Sequence, residues 1–170
     1  MSTTAKSEDQ VPYVVNVSKT STDEEDAVIA HAFRILESRF RSQERTTTLS
    51  DPTTVKQFCC MCMQGLEHEE FMVMFLNTQN QLIDHEVMFR GTLTQTSVYP
   101  REVVKAALKL NASAVMFCHN HPSGSVDPSK ADLSLTQTLK AALALVEVRV
   151  LDHLVVSGPR ATSMAETGMM

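Results

Sequence analysis

His119 and His121 stand two residues apart, and a short way downstream Ser129 and Asp132 stand three apart. Alternate residues of an extended strand share a face, so two imidazoles spaced this way can aim at one point. Residues three apart at the start of a helix lie close together, which brings the Asp132 carboxylate to the imidazoles. Two neutral nitrogens and a carboxylate suit zinc. Three protein ligands leave its fourth tetrahedral position open to water, the arrangement of a hydrolytic site rather than a purely structural one. Ser129-x-x-Asp132 is also a helix N-terminal capping pattern, and one aspartate can serve both roles.

The elements around this segment must hold it in place. The apolar run SAVMFCHN reads as a buried strand ending at the histidines, and HPSGSVDP as a sharp polar loop. A helix then opens at Ser129, with Leu133, Leu135, Leu139, Ala142, Leu143 and Leu145 turned inward, before VRVLDHLVV returns to strand. Upstream, EEFMVMFLN and LIDHEVMFRG read as a hairpin joined by a turn at Thr78 to Asn80, and Thr92 to Val98 as a third, more polar strand. Tyr99-Pro100-Arg101 opens a helix to about Leu110, with Val103, Val104, Ala107 and Leu110 inward. Helices alternating with strands predict an α/β fold, a mixed sheet with helices packed on it.

Two further helices precede the hairpin. Thr22-x-x-Glu25 is a capping box, followed by Val28, Ile29, Ala32, Phe33, Leu36 and Phe40 on one face. Arg34, Arg39, Arg41 and Arg45 lie toward its polar side, mixed with Glu37 and Glu44, and read as a solvated face. Asp51 caps the second helix, Pro52 suits its first turn and Gly65 stops it, with Val55, Phe58, Cys59 and Cys62 as its buried stripe. Cys59, Cys60 and Cys62 would crowd one helix as metal ligands and only Cys118 remains elsewhere, so they read as small buried hydrophobes. Residues 1–21 form a polar arm or edge strand, 22–49 the amphipathic helix and its linker, and 50–170 the main domain.

The 170 residues are 43% hydrophobic and 21% charged, which supports one ordinary core and excludes disorder, collagen and coiled coil as whole-chain descriptions. No apolar run is long enough to cross a bilayer and MSTTAKSEDQ is no signal segment, so a cytoplasmic protein without membrane contact is expected. Clustered cysteines fit a reducing compartment. A formal net charge of -5 opposes broad attraction to nucleic acid.

HNHPSG with Ser129 and Asp132 resembles the JAMM metal-binding motif of the JAB/MPN domain, and HNHPSG, PREVV and LDHLVV resemble its bacterial RadC-like branch over roughly residues 50 to 168. The resemblance implies a cytidine-deaminase-like architecture, with zinc held by His119, His121, Asp132 and a water. It implies that Ser129 helps stabilise the oxyanion, and that a Glu of an early strand, matched at HEEF by Glu69, is the general base. Adjacent strand residues face opposite ways, so only one of Glu69 and Glu70 can face the metal. Glu69 is the expected base, and Glu86 a weaker rival. The implied activity is zinc-dependent hydrolysis of peptide or isopeptide bonds in a protein or peptide substrate.

Full-length RadC-like proteins also carry a helix-hairpin-helix region whose turns need glycine. This chain has no glycine before Gly65, so that module is expected to be absent, as in short forms carried on mobile elements. The alternatives are a non-catalytic zinc-containing interaction module, associated with mobile-element or DNA-repair functions, and a zinc deaminase. The deaminase needs His-x-Glu and Pro-Cys-x-x-Cys, neither of which is present at the histidines.

Overall fold

A computed structural model of the chain describes residues 23–41, 52–91 and 97–170. Among the described residues, four helices and five strands follow in the order α1 (Asp23–Arg41), α2 (Pro52–Met63), β1 (Glu70–Leu76), β2 (Leu82–Arg90), α3 (Pro100–Lys109), β3 (Ala114–Asn120), α4 (Lys130–Ala144), β4 (Arg149–Ser157) and β5 (Arg160–Ser163). The strands form one mixed sheet in the order β2-β1-β3-β4-β5. Only β3 and β4 run parallel, joined by α4; the other neighbours are antiparallel. The α/β class expected from the alternation of elements is the class observed.

β3 is central and buried along its whole length. Its alternate residues serve two cores. Ala114, Met116 and Cys118 join Met72, Met74 and Leu76 of β1 against Val55, Phe58, Cys59 and Cys62 of α2 and Phe33 of α1. Val115 and Phe117 join Phe71, Val73 and Phe75 against Val103 and Ala107 of α3 and Leu139 and Leu143 of α4. The cysteines are thus packing residues, free of disulfides. Burial, with a hydrogen bond to Cys59, pushes the Cys118 thiol up, and burial pushes Cys60 up to about 11, which keeps both protonated near neutrality.

The turns follow from local chemistry. Asn77 Oδ1 accepts from Gln79 N–H at 2.9 Å and Gln81 N–H at 3.0 Å, closing the β1–β2 hairpin around the expected turn. α2 ends before Gly65, whose φ of +75° is readily available to glycine.

Several expectations are corrected. Val28 is 68% exposed and Leu145 87% exposed. At about 100° per residue Val28 sits roughly 140° around the helix from buried Phe33, and Leu145 roughly 200° from buried Leu143, so neither shares the inward stripe. Ser97 and Val98 are not in a strand; the rest of the expected third strand, residues 92–96, lies outside the described residues. So do the 1–21 arm, Thr22 of the capping box, Glu44, Arg45 and Asp51, and the side chains of Leu36, Glu37, Arg39, Phe40 and Arg41. The short β5 was not anticipated. It is fastened by Asp152 of β4, whose Oδ2 accepts from Ser163 Oγ at 2.6 Å and Oδ1 from Ala165 N–H at 3.0 Å.

Candidate metal centre

The C-terminal end of β3 delivers His119 to the face shared with α3 and α4, and the first turn of α4 delivers Asp132 to the same face. His119 is 1% exposed and Asp132 8%, with His121 half-buried at the rim. His119 Nε2 lies 2.9 Å from His121 Nε2 and 3.3 Å from Asp132 Oδ1, while His121 Nε2 lies 3.5 Å from Asp132 Oδ2. One ligand atom from each residue falls within 4.8 Å of the others, a grouping that could hold a metal ion.

Each donor is held from behind. Ser129 and Asp132 make a capping box: Asp132 Oδ2 accepts from Ser129 N–H at 2.7 Å, and Ser129 Oγ accepts from Asp132 N–H at 3.2 Å. The Ser129 side chain stands at the exposed start of the helix, beside the Asp132 carboxyl. His121 Nδ1 donates to the Ser125 carbonyl at 3.2 Å, which directs its Nε2 lone pair at the other two groups. Gly124, at φ +94°, supplies the turn that brings this carbonyl round. His121 N–H also donates to the Val156 carbonyl at 2.8 Å, tying the ligand loop to β4.

The electrostatics suit a cation. Burial opposes the charge on Asp132, but the His119 and His121 imidazoles beside it, with Ser129, outweigh it and hold the carboxyl well below the usual carboxylate range. The hydrogen bond to Asp132 raises the His121 pKa against the opposing effect of burial, and the Glu69 carboxylate adds to the rise. Two imidazoles and an ionised carboxylate converging in this way fit zinc.

Glu69 and Glu70 part company at the start of β1. Phe71 pairs with His119, and Glu69, two residues before Phe71, shares its alternation; the Glu69 carboxylate contributes to the raised His121 pKa. Glu70 Oε1 instead accepts from His68 Nε2 at 2.8 Å, beside Arg90 Nε at 3.8 Å. Glu86 is exposed midway along β2, paired with Val73 and away from the histidine end of the sheet.

Sequence reasoning missed three polar residues behind the donors: Asn120, Thr136 and His153, all buried. Asn120 bonds to the backbone around Glu69, while His153 Nε2 lies 2.8 Å from His119 Nδ1 and His153 Nδ1 2.6 Å from Thr136 Oγ1. Burial, with the nearby His119, holds the His153 pKa well below its ordinary value. The available signal was the polar pair Asp152-His153 inside the apolar run LDHLVV.

A mixed α/β sheet with a His-His-Asp group at the end of its central strand defines a JAB-type domain, and residues 49–169 match the RadC-like JAB domain, so the chain belongs to that family. Its curated relatives include a UPF0758 protein of Acidovorax sp. (strain JS42), 54% identical over 85% of this chain and 59% of the relative. A UPF0758 protein of Polaromonas sp. (strain JS666 / ATCC BAA-500) is 53% identical over 85% of this chain and 63% of the relative. The chain therefore spans about three-fifths of the length of these relatives. Among the described residues no helix is long and apolar enough to cross a membrane.

Proposed function

We propose that the protein is a zinc-dependent hydrolase of peptide or isopeptide bonds, acting on a protein or peptide substrate. The observation that carries this reading is the convergence of His119, His121 and Asp132, with Glu69 two residues before Phe71, the β1 partner of His119. Zinc held by the three side chains would supply an acidified water and polarise a carbonyl. Glu69 would take a proton from the attacking water on its carboxylate and pass it to the leaving amine. Ser129 Oγ–H donates to the carbonyl oxygen as negative charge develops there. Asp132, His119 and His121 stay fixed throughout, because each is bonded on the side away from the substrate.

Four free thiols favour a reducing, cytoplasmic setting, and the net charge of -5 favours a substrate other than nucleic acid. The test is elemental analysis of the purified chain followed by a peptide-library cleavage assay. About one zinc per chain, with cleavage abolished by Glu69→Gln, is the expected result. Stoichiometric zinc with no cleavage of any library or isopeptide-linked substrate would instead favour a non-catalytic zinc-containing interaction module.

A further inference from the structure

His153 is 0% exposed in the middle of β4, a place where an aliphatic residue would ordinarily pack. Its two ring nitrogens are both engaged: Nε2 lies 2.8 Å from His119 Nδ1, and Nδ1 2.6 Å from Thr136 Oγ1. The Thr136 hydroxyl in turn donates to the Asp132 carbonyl oxygen at 2.6 Å, a back-bond of one helical turn. The chain of contacts thus leaves one ligand-type residue, His119, and returns to another, Asp132.

Proton counting gives this chain a direction. A carbonyl oxygen only accepts, so the single proton of the Thr136 hydroxyl is committed to Asp132. At the 2.6 Å contact with His153 the hydroxyl must therefore accept, and His153 Nδ1 carries the hydrogen. A neutral imidazole with a protonated Nδ1 has a bare Nε2, which accepts from His119 Nδ1–H. His119 is then left with an unprotonated Nε2, the atom that faces His121 and Asp132.

We propose that His153 and Thr136 are positioning residues that lock His119 in its Nδ1–H tautomer and so keep its Nε2 lone pair available to a metal ion. The inference rests on the metal-site reading above and deepens it. His121 achieves the same end with a backbone carbonyl, whereas the deeper His119 lies in the sheet interior and needs a side-chain acceptor. The Thr136 hydroxyl is what distinguishes the working arrangement from its mirror. Without it, His153 is free to carry its hydrogen on Nε2 and drive the His119 hydrogen to the metal-facing side.

The experiment compares wild type with His153→Leu, Thr136→Val and His153→Gln, using zinc affinity by competition with a chromophoric chelator and histidine tautomers by long-range ¹H–¹⁵N NMR on the metal-free protein. Thermal melts confirm that each variant is folded. His153→Leu should lose about 10–100-fold in zinc affinity, the range for removing a metal ligand's hydrogen-bond partner. Thr136→Val keeps the volume and should shift the His119 tautomer toward Nε2–H with a smaller loss of affinity. His153→Gln, whose amide oxygen can accept from Nδ1–H, should restore most of both signals. Wild-type affinity in folded His153→Leu, or an Nε2–H tautomer of His119 in the metal-free wild type, overturns the inference. Neither readout uses a substrate, so a zinc-binding chain that cleaves nothing would overturn the hydrolase reading and leave this one standing.

Discussion

Asn120 grips the backbone on both sides of Glu69. Its Oδ1 accepts from Glu70 N–H at 2.8 Å and its Nδ2 donates to the His68 carbonyl at 2.9 Å, so the side chain continues the β3 ladder past the point where the strands diverge. Because Asn120 sits between His119 and His121, one residue links the carboxylate's strand to both imidazoles. Asn120→Ala leaves the partly buried Glu70 N–H and His68 C=O without this partner and should cost about 1–3 kcal/mol of stability. Turnover should fall further than zinc content does. Melting curves, elemental analysis and kinetics on the same preparation check this; a variant that loses zinc but keeps its rate per bound metal would show that Asn120 serves the ligands alone.

Glu69→Gln should retain zinc and fold while losing on the order of 10²–10⁴ in rate, the usual contribution of a general base. Glu70→Gln should stay active, since the Glu70 carboxylate is occupied by His68 beside Arg90. Asp132→Asn should lose metal and activity together. Parallel steady-state and metal assays separate the three, and an inactive Glu70→Gln beside an active Glu69→Gln would reverse the assignment.

Zinc affinity should depend on pH through His121. Its pKa is raised chiefly by the hydrogen bond to Asp132, so below that pKa the metal must displace a proton, whereas Asp132 stays ionised well into acid. Affinity is therefore expected to fall about tenfold per pH unit on the acid side and to level off above the raised pKa. Calorimetry in two buffers of different ionisation enthalpy counts the proton released. In the metal-free protein the signs differ by group: stability from His121 is lost as pH rises through its raised pKa, and stability from Asp132 is lost as pH falls through its lowered one.

Duplex DNA should bind no more tightly than the weak non-specific range, roughly 10⁻⁴–10⁻⁶ M at physiological salt. A gel-shift titration across salt concentrations measures it. Submicromolar, salt-sensitive binding would direct attention to the arginines between Arg34 and Arg45.

Glu147 should be replaceable to advantage. It lies in the turn that follows α4, at φ +60°, with Val148 N–H donating back to the Leu143 carbonyl at 3.0 Å, a cap that favours glycine. Glu147→Gly should add about 0.5–1 kcal/mol, relieving left-handed strain against the entropy glycine loses. The melting temperature should then rise by about 2–4 °C per kcal/mol for a chain of this size.

The parts legible in the sequence were those set by local pattern. The strand ending at Asn120, the α2 stripe of Val55, Phe58, Cys59 and Cys62, and the His-x-His with its downstream Asp all follow from period and spacing. What escaped depends on neighbours distant in the chain. His153 reads as one polar residue in an apolar strand until α4 sets Thr136 beside it and β3 sets His119 on its other side. Asn120 reads as a spacer between histidines until β1 arrives alongside. β5 was missed because four residues with one Arg and two hydroxyls carry no period, and a buried aspartate on β4 fastens it instead.

The alternation of β3 between two cores has an evolutionary corollary. Residues at even positions up to Cys118 answer to α1 and α2, while odd ones answer to α3, α4 and the three donors. Neighbouring codons of one short strand therefore face different selection. A change at Met116 or Cys118 alters how firmly the domain holds together and leaves the imidazoles' surroundings intact, whereas a change at Phe117, which packs edge-on against His153, reaches the ligand shell directly. The packing on the thiol side of the sheet can accordingly be varied without re-solving the chemistry on the other.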